Sequence, residues 1–137
     1  MNRITAYLNF DGNCREAMEF YQRCFGGELQ VMTWAEAEIE SPPEAKNRVL
    51  HAHLARGEMI LMASDTNPGE PFQPGNNVWL SVECESDAEV DTLYPKLLEG
   101  GRDVMAPHDA FWGARFAMLT DRFGVHWMLN HTRAAAW

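Results

Sequence analysis

The segment LNFDGNCREAMEFYQRCFGG, residues 8–27, decides the fold, because its plan recurs in VECESDAEVDTLYPKLLEGG, residues 82–101. The alignment of the two segments places Phe20 opposite Tyr94. In each copy an apolar strand precedes an amphipathic helix that ends at two glycines, and glycine adopts the left-handed conformation at a helix end at little cost. Self-similarity at a fixed spacing predicts two copies of one supersecondary unit.

Local signals mark where each repeated helix begins. The first strand is predicted at residues 4–10, and Asn13 with Glu16 forms a candidate capping box for the helix that follows. In the second copy the strand is predicted at residues 79–84, and Ser86 with Glu89 forms the box. Pro95 conflicts with the second helix, because proline removes a backbone donor, so we expect a kink or an irregular turn there.

Three further strands are predicted after each helix, with turns at Gly57 and Gly124. The stretch 107–110 is read as a loop, and residues 66–77, rich in proline, glycine and asparagine, as a linker. The predicted strands are residues 28–34, 48–56 and 58–64 in the first copy and residues 103–105, 114–120 and 125–130 in the second.

The predicted fold class is α+β, with two tandem βαβββ units forming a curved, half-open mixed sheet or barrel that carries its helices outside. We expect a single domain over residues 1–137, with unit one at about 1–65 and unit two at about 78–131. Each unit is too small to bury a core alone, so two units, within one chain or across a dimer, would share a core and leave a binding cleft between them.

Composition limits the partners and the compartment. Twenty acidic and eleven basic residues give a net charge of −9, which disfavours nucleic acid and anionic membranes. No stretch approaches the roughly 20 apolar residues of a membrane span, and no signal peptide is visible. Three cysteines without metal or redox spacing are expected to be reduced thiols of a cytoplasmic protein.

Three segments carry a resemblance to a known family: residues 10–28 (FDGNCREAMEFYQRCFGGE), 51–65 (HAHLARGEMILMASD) and 111–130 (FWGARFAMLTDRFGVHWMLN). They resemble the PhnB-like branch of the vicinal oxygen chelate superfamily, which includes glyoxalase I, extradiol dioxygenases and bleomycin-resistance proteins. The resemblance implies the paired βαβββ fold. The branch sometimes carries a demethylubiquinone methyltransferase label, and the sequence gives that label no support, because it has no glycine-rich strand-to-helix loop.

The resemblance also implies where a metal would be held: by a His, Gln or Glu from the first strand of each unit and a Glu or His from the last. In this chain those positions fall near Ala6, Trp79, Met62 and Met128. Methyl, indole and thioether groups do not bind a hard divalent ion, and the neighbours Ile4, Leu8, Leu61 and Leu80 are no better. We therefore predict no metal and no cofactor.

His51 and His53 are the first candidates for chemistry, because residues two apart on a strand share one face. They could ligate one ion or act as an acid–base pair, or they could only bond within the sheet. His51 is the best candidate for a catalytic residue, since imidazole titrates near neutrality.

The remaining candidates are substrate-binding residues. Phe111 and Trp112 could form the wall of a pocket or close the core. Met62, Met128 and Trp79 could line the same cleft or pack in the interior, and Arg115 and His108 could hold an anionic group or lie at the surface. Asp121 is expected to be a turn residue.

Two functions follow from these candidates. The first is a metal-free small-molecule-binding protein, whose acidic surface favours a cationic aromatic ligand. The alternative is a lyase-, isomerase- or dioxygenase-like enzyme that uses a non-standard metal or His51 as acid or base, so whether the protein is an enzyme stays open. A third possibility is that the chain is chiefly an interaction or structural subunit, and we expect a homodimer in every case.

Overall fold

The computed structural model describes residues 2–133 and divides the chain into two compact units, Met1–Gln73 and Pro74–Trp137. The boundary lies in the predicted linker. Each unit is an open four-stranded mixed sheet with one helix on one face. The α+β class and the two βαβββ units are confirmed. No helix within the described range is long and apolar enough to cross a membrane.

The first unit has strand order β1-β4-β3-β2, with β1 parallel to β4 and the other neighbours antiparallel. A short 3₁₀ turn, Pro43–Ala45, lies between β2 and β3. Its elements are β1 Ala6–Phe10, α1 Cys14–Phe25, β2 Glu28–Thr33, β3 Val49–Arg56 and β4 Met59–Asp65.

The second unit repeats this topology with strand order β5-β8-β7-β6, and β5 is parallel to β8. The predicted strand at residues 114–120 is observed with those bounds. The elements are β5 Leu80–Glu83, α2 Asp87–Leu98, β6 Arg102–Ala110, β7 Ala114–Thr120 and β8 His126–Thr132.

Each sheet has one face covered by its helix and one open face, because side chains alternate along a strand. In unit one, Ala52, Leu54 and Ala63 are fully buried on the face that α1 covers. In unit two, Ala117, Leu119 and Leu129 are fully buried on the face that α2 covers. The alternate positions of the strands therefore lie on the two open faces.

Each unit requires a glycine after its helix for the same steric reason, at Gly27 in unit one and at Gly101 in unit two. A Cβ at Gly27 would collide with the carbonyl oxygen of Ala55, and one at Gly101 would collide with that of Thr120. In each copy a strand of the same sheet approaches the backbone too closely for any side chain. The second glycine of each pair is thus required by strand packing, whereas the first, Gly26 or Gly100, has the positive φ of a helix end.

For α2 the Ser86 half of the predicted capping box is confirmed, with the returning bond of Glu89 going to Glu85 instead of Ser86, and for α1 the prediction is wrong. Ser86 Oγ accepts the N–H of Glu89 at 3.0 Å, while the Glu89 carboxylate accepts the N–H of Glu85 at 3.0 Å. Asn13 makes no side-chain cap bond. Asp65, at the end of β4, replaces it by accepting the N–H of Cys14, because a buried carboxylate at that point needs donors and the helix start supplies them.

Two further predictions concern prolines. Pro95 lies inside α2, and the segment is helical from Asp87 to Leu98. The loop predicted at residues 107–110 is wrong, since β6 continues to Ala110 and contains both Pro107 and His108. A proline is tolerated there because β6 is an edge strand, and the register shifts twice, between Asp103 and Met105 and between Met105 and His108.

The three cysteines should differ in reactivity. Burial raises the pKa of the Cys14 thiol to about 12, and burial likewise raises that of Cys84 to about 12, whereas Cys24 is partly exposed. Because the thiolate is the reactive form, iodoacetamide near pH 8 should modify Cys24 first and reach the other two only after unfolding. Peptide mass spectrometry of native and urea-unfolded samples measures this. Equal labelling of Cys14 and Cys24 in the native protein would contradict it.

Candidate functional site

The open face of unit two is the richest candidate. Three directly opposed pairs of β7 and β8 side chains lie on it: Phe116 with Asn130, Met118 with Met128, and Thr120 with His126. From β5, Ser81 opposes Met128 and Glu83 opposes Asn130, which places both on this face as well. A strip of thioether, aromatic and polar groups therefore runs across three strands.

An aromatic cluster, made of His108, Phe111, Trp112 and Phe116, lies at the β6–β7 hairpin end of this face. The Phe111 and Trp112 rings are 5.1 Å apart at 89°, and those of Trp112 and Phe116 are 5.2 Å apart at 71°. These edge-to-face contacts are favourable for ring quadrupoles. Phe111 is nevertheless 97% exposed and Phe116 only 7%, so the cluster runs from solvent to the sheet.

A second ring pair lies where β8 begins. The rings of Trp79 and His126 are 4.8 Å apart at 31°. Nε2 of His126 lies 2.8 Å from the carbonyl oxygen of Gly75, and Nδ1 lies 2.8 Å from the Thr120 hydroxyl. Because a carbonyl only accepts, Nε2 donates to Gly75, and Nδ1 forms the second hydrogen bond of the ring, with the Thr120 hydroxyl.

A carboxylate completes this face. Nδ2 of Asn130 donates to both oxygens of Glu83, at 2.7 and 2.9 Å. Glu83 is exposed, so the pair orients a negative charge at the surface. A cationic group next to Asn130 would therefore meet a preoriented partner.

Arg115 does not lie with the aromatic cluster. Its guanidinium bonds Asp91 of α2 at 3.0 Å and Asp109 of β6 at 3.2 Å, on the face that the helix covers. The hydrogen bond to Asp91 raises the pKa of Arg115, and bonds from Arg133 and Arg115 lower the pKa of Asp109. Of the two polar neighbours expected beside Phe111 and Trp112, the structure places only His108 there, 6.1 Å from the Phe116 ring.

The open face of unit one carries the two strand histidines. His53 opposes Met62 and His51 opposes Met32, so both histidines share this face. The Tyr7 hydroxyl lies 3.2 Å from Nδ1 of His51, which links β1 to β3 on the exposed side of the sheet. His51 is thus exposed and has one phenol as its neighbour.

The implied metal positions do not form a donor set. Ala6 opposes Leu61 on the helix-covered face, whereas Met62 opposes Tyr7 on the open face, so Ala6 and Met62 do not share a face. Tyr7 and Met62 in unit one, and Trp79 and Met128 in unit two, are poor ligands for a hard divalent ion. Within residues 2–133 no group of three or more His, Cys, Asp or Glu side chains could hold a metal ion. These residues do not fit the family metal.

Sequence reasoning missed several residues of these faces. His126 and Asn130 alternate with Met128 on β8, so the period of two along that strand could have found them. No local pattern pointed to Tyr7 or Glu83, because their roles depend on which strands become neighbours.

The two βαβββ units, each with one open face, define a class: the chain is a member of the vicinal oxygen chelate superfamily. The fold is similar to that of a glyoxalase/bleomycin resistance protein/dioxygenase family enzyme from Burkholderia phytofirmans, with a TM-score of 0.62 at 20% identity, covering 93% of this chain and 97% of that one.

Within that class the chain belongs to the PhnB-like family, whose model, described as 3-demethylubiquinone-9 3-methyltransferase, matches residues 2–130. It is 30% identical to protein YjdN of Escherichia coli, with 93% of each covered. It is similar to the structure of PA1353 from Pseudomonas aeruginosa, with 39% identity and a TM-score of 0.86, covering 96% and 98% of the two chains.

A third similar structure is a putative 3-demethylubiquinone-9 3-methyltransferase, PhnB protein, from Bacillus cereus. Its identity is 27% and its TM-score 0.71, covering 96% of this chain and all of that one. The family description names a methyl transfer. The described residues form two open mixed sheets, whereas methyltransferases of the doubly wound kind hold their cofactor at a glycine-rich loop of a parallel sheet.

Proposed function

We propose that this protein binds a small planar aromatic molecule, without a metal, on the open face of unit two. The observation that carries the proposal is the aromatic cluster, whose outer ring, Phe111, is 97% exposed. An exposed aromatic group next to half-buried apolar side chains, here Met118 and Met128, is typical of a ligand-binding surface. Trp112, between Phe111 and Phe116, is the ring on which a flat ligand would stack.

The floor of this proposed site is adaptable. Met118 and Met128 oppose each other as the next open-face pair after Phe116 and Asn130, and thioether side chains conform to ligands of different shapes. The Trp79–His126 pair would contact the far end of a ligand that spans the strip. This floor favours shape-tolerant binding over recognition of a single molecule.

The charge of the site favours a cation. Glu83 presents its carboxylate beside Asn130, and the indole rings of Trp79 and Trp112 attract cations through their faces. The net charge of −9 would add long-range attraction for a positive ligand. The ligand class that fits is therefore a cationic aromatic molecule.

Trp112→Ala should weaken the binding of proflavine, a planar aromatic cation, by about tenfold, because one stacking and cation–π contact is worth roughly 0.5–2 kcal/mol. Fluorescence polarisation of the dye measures the affinity. Phe72→Ala, which removes an aromatic side chain that is 38% exposed in unit one, is the matched control and should change nothing. Equal affinity for proflavine and the anionic dye fluorescein, or an unchanged affinity in Trp112→Ala, would contradict the proposal.

The proposal includes a homodimer in the cytoplasm. Exposed apolar side chains on the edge strands, Met32 on β2 and Val104 and Met105 on β6, support self-association. The buried thiols of Cys14 and Cys84 support a reducing compartment.

A second candidate function is acid–base catalysis by His51. It is favoured by the 3.2 Å contact between the Tyr7 hydroxyl and Nδ1, since a phenol that holds one ring nitrogen directs the other toward solvent. A neutral imidazole oriented in this way could remove a proton next to a carbonyl, as a lyase or isomerase requires.

If this candidate is right, the protein should accelerate deuterium exchange into hydroxyacetone in D₂O, and His51→Ala should lose about a hundredfold of that rate. Proton NMR measures the exchange. Tyr7→Phe should lower the rate, because the phenol would no longer hold the imidazole ring in place, whereas His53→Gln, on the same face, should leave the rate unchanged. Identical rates for the parent protein and His51→Ala would contradict catalysis by this residue.

A further inference from the structure

Unit one contains a pocket that the aromatic site of unit two does not use. Its volume is about 190 Å³, and it lies where the parallel strands β1 and β4 end. We propose that this pocket binds a small alkylammonium ion between the Trp34 indole and the Glu70 carboxylate. The side chains that would contact this ion line the pocket: Asn9, Trp34, Leu50, Ser64 and Glu70.

The floor of the pocket is set by strand register. Asn9 and Ser64 are directly opposed on the open face, and the Ser64 hydroxyl donates to Oδ1 of Asn9 at 3.2 Å. Leu50 is the extra residue of the bulge at which β3 shifts its pairing with β2. The backbone N–H of Trp34 bonds to the carbonyl of Arg48 at 3.2 Å, which places the indole beside this bulge.

The start of the linker forms the opposite wall and is held in place. The N–H of Thr66 donates to the carbonyl of Phe10 at 2.8 Å, and Arg48 donates to the carbonyl and the hydroxyl of Thr66 at 2.9 and 3.1 Å. The N–H of Asn67 donates to Oε1 of Glu70 at 2.9 Å, and the N–H of Glu70 donates to the carbonyl of Asn67 at 3.0 Å. This turn holds the Glu70 carboxylate in place within the lining of the pocket.

The charge in the pocket is negative. Its lining residues include Asp65 and Glu70 and, among the residues that the structure describes, no Lys, Arg or His. Asp65 already accepts three backbone N–H groups, so Glu70 is the carboxylate with an oxygen to offer a ligand. The nearby Arg48 is paired with Asp11 at 3.0 Å.

These groups select the ligand class. An anion would be repelled by the Glu70 carboxylate, so it is disfavoured. The Trp34 and Leu50 side chains offer an apolar and π surface that suits methyl or methylene groups next to a positive nitrogen. The Asn9 amide and Ser64 hydroxyl could bond a hydroxyl or amine at the other end. An ion such as choline fits each of these conditions.

The test compares choline with its uncharged carbon isostere, 3,3-dimethylbutan-1-ol, by ¹⁵N-HSQC titration of the full chain. We expect choline to bind at least about tenfold more tightly than the isostere, with the largest shifts at the Trp34 indole and Asn9. Glu70→Gln should weaken choline binding about fivefold, and it keeps an oxygen for the N–H of Asn67. Trp34→Leu should weaken it by a similar factor, and Glu58→Gln, at the β3–β4 turn outside the pocket, should not change it.

The inference is overturned if choline and its isostere bind equally, if Glu70→Gln binds choline as the parent does, or if the shifts map to Trp79 and Trp112. Trp112→Ala should leave choline binding unchanged, so failure here and failure of the aromatic site are separate outcomes. If the Glu70→Gln spectrum shows loss of folding, the isostere comparison on the parent protein still decides.

Discussion

Replacing Asp65 with alanine should lower the free energy of unfolding by about 3–5 kcal/mol, because several backbone donors lose a buried charged acceptor at once. Oδ1 accepts the N–H groups of Gly12 and Cys14 at 2.8 and 3.0 Å, and Oδ2 accepts that of Val49 at 2.8 Å. The residue is 6% exposed, so water cannot replace the carboxylate freely. The negative charge also lies at the start of α1, where the helix dipole favours it.

Urea unfolding followed by circular dichroism measures this loss. Asp65→Asn should fall between the parent and the alanine variant, because the amide keeps one acceptor oxygen but turns an NH₂ group toward a donor. Asp11→Asn is the matched control: Asp11 makes one surface ion pair with Arg48, so the expected loss is under about 1 kcal/mol. A loss below about 1 kcal/mol for Asp65→Ala would show that the cap is dispensable.

Asp121→Ala should cost about 3–4 kcal/mol, because this carboxylate joins a turn to the core of unit two. Oδ1 accepts the N–H groups of Phe123 and Val125 at 2.8 and 3.1 Å, and Oδ2 accepts the indole N–H of Trp127 at 2.8 Å. Asp121 and Trp127 are both 3% exposed. The conformation of the turn before β8 and the position of the buried Trp127 side chain thus both depend on Asp121.

A double-mutant cycle with Trp127→Phe separates the two roles of Asp121. Removing the indole N–H alone should cost less than Asp121→Ala, and the coupling free energy should be about 1–2 kcal/mol, as expected for a hydrogen bond to a charged group. Thermal and urea unfolding of the four proteins supply the values. Strictly additive losses would mean that the indole bond contributes nothing.

The sequence alone was sufficient to predict the repeated unit and most of the helices and strands. The strand–helix–Gly-Gly plan, the Ser86 cap and the Asp121 turn are local patterns, and local backbone preferences act over a few residues. The strand over 114–120 was predicted with its observed bounds, because alternation and a turn glycine frame it. Residues 107–110 were predicted wrongly, because Pro107 is a loop signal except at a sheet edge, and edge position is not a local property.

The sequence predicted the surroundings of some candidate residues but not of others. The clustering of Phe111 with Trp112 could be predicted because they are adjacent in the chain, and the shared face of His51 and His53 follows from the period of a strand. The surroundings of Arg115 could not be predicted, because Asp91, 24 residues away in the sequence, reaches it from α2. A side chain on a half-buried strand has two faces available, and the helix that packs on one of them decides its partners.

The sequence by itself determined two βαβββ units, their order of elements and a family. Only the tertiary structure decided that Asp65 caps a helix start 51 residues before it, that Tyr7 meets His51, and that the linker at Glu70 closes a pocket. The physical reason is the distance along the chain over which each effect acts. Backbone propensity and hydrophobic periodicity act between residues that are near each other in the sequence. Hydrogen bonds, ion pairs and cavities form between residues that only sheet register and helix packing bring together.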